Sequence, residues 1–236
     1  VDAANTVRVA WGQFQNAGYK LYYAESAAGG TGAWSAASVP NANGAAPSMA
    51  LDESGKLHLT WHEGSFGLRD IWYATLSAGV WSLPENISQT PSADSLTPAI
   101  VLTTDNRPLV VWSEIVAGQG KIQSALRGAT TWSTPLNLSS GAVDSSLPRI
   151  ANSRNDLVAV WNEAATPSRV AWAFGSGNAW SAPAPLVSGA GDWNDAAVAG
   201  STDGTIHFAY DGGPSANGEA YYDAFSLFHT NLPIIL

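Results

Sequence analysis

Residues 228–236 read "FHTNLPIIL", and the last six of them, Asn231 to Leu236, include no charged side chain. An apolar end of this kind reads as the start of a membrane anchor, as a sorting tag, or as a strand whose partners lie elsewhere in the chain. A spanning helix needs about 20 apolar residues, far more than this stretch offers. Joined to the N-terminus it gives "LPIILVDAANTVRVAW", which overlays residues 97–112, "TPAIVLTTDNRPLVVW", without a gap. The tail therefore reads as the inner strand of a repeated unit whose first copy begins without one.

The repeat is visible once the aromatic positions are aligned. The segments "VRVAWGQ", "LHLTWHE", "LVVWSE", "LVAVWNE" and "IHFAYDG" place Trp11, Trp61, Trp112, Trp161 and Tyr210 at intervals of 50, 51, 49 and 49 residues. Each alternates apolar with polar or small residues, the period of a strand. About ten residues on comes a second strand, in "KLYYAES", "DIWYATL", "KIQSALR", "RVAWAFG" and "EAYYDAF". A third follows in four copies around Trp34, Trp81, Trp132 and Trp180. Turns such as "DESGK" and "STDGT" precede the Trp11-type strands, and apolar runs precede the turns: "APSMAL", "TPAIVL", "LPRIA" and "DAAVAG".

Four antiparallel strands recurring about every fifty residues predict an all-β, five-bladed β-propeller of four-stranded blades, its ring closed by the C-terminal strand pairing into blade one. Residues 1–236 form one domain on this reading. Its blades are approximately 1–44 plus 231–236, 45–95, 96–145, 146–194 and 195–230. Blade five is short: Tyr222 to Pro233 spans 11 residues where Tyr73 to Pro98 spans 25, so its outer strand, near "SLFHT", should be short or missing.

Composition narrows the function. Ten basic against nineteen acidic residues give a net charge of −9, a surface that repels phosphate backbones and anionic membranes. The absence of cysteine removes disulfides, thiol nucleophiles and Cys-ligated metals. The four histidines show no metal-ligand spacing. Few lysines with abundant Trp, Ser, Thr, Asn and Gly match the habit of secreted bacterial proteins.

Around Trp34, Trp81, Trp132 and Trp180 the chain resembles the bacterial neuraminidase repeat, or Asp-box, superfamily, whose units carry a Ser-x-Asp-x-Gly-x-Thr-Trp turn. "GSGNAWS" and "GATTWS" keep the Trp-Ser and a glycine without the aspartate, so the repeats are degenerate and sialidase-like. The resemblance implies propeller architecture over nearly the whole chain. Sialidases of this superfamily are six-bladed and use three arginines, a Tyr and Glu pair and an Asp acid. Here Arg149 is the one arginine on an inner strand, and no catalytic residue carries over. Glycosidases also need two carboxylates some 5 to 10 Å apart, and "PSMAL", "PAIVL" and "PIIL" supply none.

Three residue sets remain. Glu63, Glu114 and Glu163 each stand two residues after a blade Trp, with Gln13 in blade one, and Lys20, Arg69, Lys121 and Arg169 sit near the end of the same loops. These read as ion pairs pinning loops. Asp94, Asp144 and Asp192 lie four residues before Pro98, Pro148 and Ala196, with Asn43 and His229 at the same offset elsewhere. They could hold calcium, bind sugar hydroxyls, or cap their own turns. The third set breaks the repeat. Trp193, beside Asp192, Asn194 and Asp195, offers an aromatic face next to hydrogen-bonding groups, as a sugar requires, although filling a gap between blades is the plainer role. Phe14, Tyr19, His62 and Phe66 lie in loops expected on the same face.

These readings predict a secreted or surface-exposed, non-catalytic binding module for a glycan or other small polar ligand, using the loops around the propeller axis. The site residues are Trp193, Asp192, Asn194, Asp144, Asp94, His62 and Phe66. Neither cofactor, nucleic acid nor membrane insertion is expected. The alternatives are a sialidase-like glycoside hydrolase, with Asp94, Asp144 and Asp192 as acids, and a protein-interaction scaffold.

Overall fold

A computed structural model describes residues 2, 4–16, 18–40, 42–154, 156–187, 191–213 and 219–226. They build five antiparallel sheets in chain order. The first holds β1 (Val7–Gln15), β2 (Gly18–Ser26) and β3 (Trp34–Ser38). The second holds β4 (Gly44–Leu51), β5 (Leu57–Glu63), β6 (Asp70–Ser77) and two short pieces, β7 (Val80–Trp81) and β8 (Glu85–Asn86). The third is β9 (Asp94–Leu102), β10 (Pro108–Val116), β11 (Gln119–Leu126) and β12 (Leu136–Asn137). The fourth repeats the second with β13 (Ser145–Ser153), β14 (Asp156–Glu163), β15 (Arg169–Ser176), β16 (Ala179–Trp180) and β17 (Ala184–Pro185). The fifth is β18 (Asp192–Gly200), β19 (Thr205–Gly213) and β20 (Glu219–Ser226).

Alternation along the second strand of each unit explains how the sheets stack. In β10, Val110 and Trp112 face the second sheet, among Ile71, Tyr73 and Ile87, while Leu109 and Val111 face the fourth, among Leu157, Ala159 and Trp161. In β14, Val158 and Val160 turn to the fifth sheet, against Ile206, Phe208 and Tyr210. A strand buried on both faces reads as a continuous apolar run, which is why "LVVW" and "LVAVW" lack polar interruptions. Trp61, Trp112 and Trp161 are fully buried, each against the preceding sheet.

The inner strands share a second device. In β4, β9, β13 and β18 the pairing slips by a bulge, and the bulge residues Ala46, Thr97, Leu147 and Asp195 take left-handed φ values of 51°, 47°, 54° and 48°. Such bulges re-aim a strand and increase its twist. The Trp-Ser turns are also structural. Ser82, Ser133 and Ser181 donate their N–H to the carbonyls of Thr75, Leu126 and Phe174, and their hydroxyls accept the N–H of the same three residues.

The expected four-stranded blade takes several forms. The outer strand is split in the second and fourth sheets, and the first and fifth sheets have three strands each among the described residues. In the first sheet no described strand lies inside β1. The tail, His229 and most of "SLFHT" lie outside the described residues. No helix among the described residues is long and apolar enough to cross a membrane.

Candidate functional site

Between the first and second sheets, where the β1–β2 and β5–β6 hairpins end, an open cleft of about 780 Å³ is lined by Phe14, Tyr19, Lys20, His62, Phe66 and Arg69, with Asn16, Asn43, Glu63 and Ser65 among them. Phe66 is 92% exposed and Phe14 and Tyr19 are exposed as well. Phe14 and Tyr19 meet edge to face at 5.3 Å, and the Arg69 guanidinium lies 5.2 Å from the Phe66 ring centre. Loops rich in exposed aromatics beside hydrogen-bonding groups are expensive to leave in water and suit an amphipathic ligand.

Local sequence shapes the wall of this cleft. Gly44 occupies the position of Ser95 and Ser145 in the repeat, and a Cβ there would stand 2.2 Å from Cδ1 of Trp61. The Trp61 Nε1 and the Asn43 N–H both donate to Oε2 of Glu63, at 3.0 and 2.9 Å, fixing the carboxylate at the cleft wall. His62 accepts the Thr97 N–H on Nδ1 at 3.3 Å, which places its own proton on Nε2. Burial, reinforced by the charge of Arg69, holds the His62 pKa down at about 4.

The depressed histidine has a consequence for stability. Unfolded His62 protonates below about pH 6.5, whereas the folded residue stays neutral until about pH 4. Stability should be level above pH 6.5 and fall as pH drops from 6.5 to 4. His58, lowered chiefly by burial, acts in the same direction. Carboxylates whose pKa is lowered, such as Asp52 and Asp94, lose most of their contribution below this window. Thermal melts of His62→Gln should show a shallower decline between pH 6.5 and 4 than the parent protein; an identical slope would contradict it.

The three aspartates play one part. Asp94 accepts the Arg69 N–H at 3.0 Å and its Nε at 2.8 Å, with Nη2 on the other oxygen. Asp144 accepts the Gly120 N–H at 2.6 Å, and Asp192 the Ser168 N–H at 2.8 Å and its hydroxyl at 2.9 Å. Each thus stands at or just before an inner strand and ties down the hairpin of the preceding unit, not its own turn. Burial pushes the Asp94 carboxyl up, but its bonds to Arg69 outweigh this and leave it below the usual range. The Ser168 N–H and hydroxyl lower Asp192 likewise. Among the described residues no group of three His, Asp or Glu side chains is placed to hold a metal ion.

Of the ion pairs expected within loops, Glu163–Arg169 forms, with Nε and Nη2 at 2.7 and 2.6 Å from Oε2. Arg69 turns to Asp94 instead. Glu114 accepts from Gln123 at 3.1 Å, while its Oε2 and the Trp112 Nε1 are buried without a partner among the described residues.

Trp193 lies in the core, 8% exposed. Its ring meets Tyr210 at 5.7 Å and Tyr221 at 5.0 Å, both edge to face. The repeat explains it. Where other units pair a small Gly44, Ser95 or Ser145 with a Glu opposite, the fifth pairs Trp193 with Gly212, so the indole fills space that the missing Glu and the smaller Tyr210 leave. That exchange was readable in "IHFAYDG", where Gly212 replaces the Glu. Asn194 is half-buried next to it. The cleft brings together His62 and Phe66, with Asp94 behind Arg69; Asp144, Asp192, Trp193 and Asn194 belong to later units.

No protein-family model and no curated protein matches the chain. Solved structures do. A protein of unknown function from Dyadobacter fermentans is 10% identical with a TM-score of 0.66, over 89% of this chain and 72% of that one. An ulvan lyase from a new polysaccharide lyase family is 11% identical with a TM-score of 0.61, over 94% and 67%. An endo-arabinase from Bacteroides thetaiotaomicron is 14% identical with a TM-score of 0.52, over 96% and 91%. The two enzymes have β-propeller folds, and at such identities the likeness is one of fold: an all-β, propeller-like stack of antiparallel sheets.

Proposed function

We propose that the chain is a single five-bladed propeller, with the blade boundaries given above and residues 231–236 completing blade one, and that it binds carbohydrate without cleaving it outside the cell or at its surface. The observation that carries the ligand class is the cluster of exposed Phe14, Tyr19 and Phe66 in one cleft with Asn16, Asn43, His62 and Arg69. Neighbours named as an arabinase and an ulvan lyase support a carbohydrate connection. Degenerate Trp-Ser turns support descent from sialidase-like repeats. Of the residues singled out by sequence, His62 and Phe66 contact ligand, Asp94 positions Arg69, Asp144 and Asp192 hold later hairpins, and Trp193 and Asn194 shape the fifth unit.

A hydrolytic acid needs a raised pKa, and Asp94 and Asp192 are shifted the other way. Purified protein should release no aryl glycoside or sialoside product; turnover abolished by Asp144→Asn would contradict the non-catalytic reading. A glycan array and gel electrophoresis through polysaccharides test binding. Phe66→Ala should weaken binding by about 1 to 2 kcal/mol, five- to thirtyfold, with an unchanged melting temperature because the ring is exposed. Unchanged binding in that variant would remove the cleft from consideration.

A further inference from the structure

We infer that the cleft is selective for a carboxylate-bearing sugar, a uronate residue in a polysaccharide, with Lys20 as the partner of the carboxylate; this rests on the cleft being the glycan site. The units differ in what stands across their hairpins: the second sets Asp70 opposite Glu63 and sends Arg69 to Asp94. Lys20 pairs in register with Gln13, whereas Lys121 stands opposite Glu114 and Arg169 opposite Glu163. The exchange of Glu for Gln in the first unit leaves exposed Lys20 without a carboxylate across the hairpin; neither Lys20 nor Lys121 makes an ion pair among the described residues, but Lys121 still has the Glu114 carboxylate opposite it. The other charges at the cleft have fixed partners, although Glu63 keeps its negative charge because its donors are neutral. Arg69 is held by Asp94, and Glu63 is held on Oε2 by two N–H donors.

The hydrogen-bonding groups lean the same way. Lys20 carries three donors and no acceptor, Arg69 keeps donors beyond those given to Asp94, and His62 presents Nε2–H because Nδ1 is taken by Thr97. A sugar hydroxyl donates as readily as it accepts, whereas a carboxylate only accepts and bonds a cation more strongly than a neutral group does. Exposed Tyr19 and Phe66 flank these donors and supply faces for the ring that bears the carboxylate. The net charge of −9 opposes a polyanion over distance, but at about 0.15 M salt such repulsion is screened beyond about 8 Å, and the contact at Lys20 decides.

The test is affinity electrophoresis and calorimetry at that salt concentration with polygalacturonate and its fully methyl-esterified form, which share a backbone and differ in charge. Wild-type protein should bind the free acid about tenfold tighter, equivalent to about 1.4 kcal/mol. Lys20→Gln should bind both forms equally, with an unchanged melting temperature. Equal binding of acid and ester by wild type, or retained preference in Lys20→Gln, would overturn the selectivity and leave the glycan site standing. Equal binding of polyglutamate, a carboxylate polymer without sugar rings, would also overturn it. Failure to bind either polymer or any neutral glycan would overturn the glycan reading itself.

Discussion

Replacing Trp193 by alanine is expected to destabilise the fold by about 3 to 5 kcal/mol, the range for deleting a buried large aromatic. The ring is enclosed by Tyr210 and Tyr221 and joins the core shared by the fourth and fifth sheets. Gly212 opposite it cannot grow to fill the hole, since a Cβ there would lie 2.0 Å from the Asp192 carbonyl and the residue has φ +135°. The cavity would therefore persist, as in the costly members of large-to-small series. Glycan binding should survive at temperatures where the variant is folded, because the cleft lies between the first and second sheets. Chemical denaturation read against binding separates the outcomes. An unchanged unfolding midpoint with lost binding would return Trp193 to the ligand face.

The sheets were legible in the sequence because a strand buried on both faces leaves a repeated aromatic and a run of aliphatics, and five such runs at a common spacing have few other readings. The bulges were less so. Proline after Ala46, Thr97 and Leu147 marks the place, but that the preceding residue adopts a left-handed φ follows from the pairing partner, which local sequence does not contain. The aspartates showed their offset and a capping role, but not that the amides they cap belong to the preceding unit, because Asp94 and the Arg69 amide it binds are 25 residues apart. Trp193 is instructive in a different way. It stands out in sequence as a departure from the repeat, as does Gly212 in place of the Glu, and strand register sets the two opposite each other. Small departures from the repeat cluster at the cleft, Gly44 for Ser and Asn43 for Asp in its wall and Gln13 for Glu opposite Lys20, and sequence alone does not show that they meet.

Removing residues 232–236 is expected to leave the chain unfolded or aggregated. These residues lie outside the described part of the structure, and the expectation rests on the ungapped overlay and on the different burial of the first unit's Trp. Trp61, Trp112 and Trp161 are fully buried against the sheet before them, whereas Trp11 is half-buried, stacked at 5.5 Å on Tyr22 of its own sheet, and β1 has no strand inside it among the described residues. A strand supplied by "LPIIL" would pair with that edge and bring Leu232, Ile234, Ile235 and Leu236 into the core, worth about 6 to 12 kcal/mol if all were buried. A loss of that size is comparable with the whole net stability of about 5 to 15 kcal/mol typical of a folded domain. Instability after truncation could also follow from any lost apolar contact, so a circular permutant makes the test specific. The overlay has no gap, so Leu236 bonded directly to Val1, with new termini in the exposed β6–β7 turn at Gly79, should fold with a melting temperature at least equal to that of the parent chain. A truncated chain that melts like the parent, or a permutant that cannot fold without an inserted linker, would show that the tail does not complete the first blade.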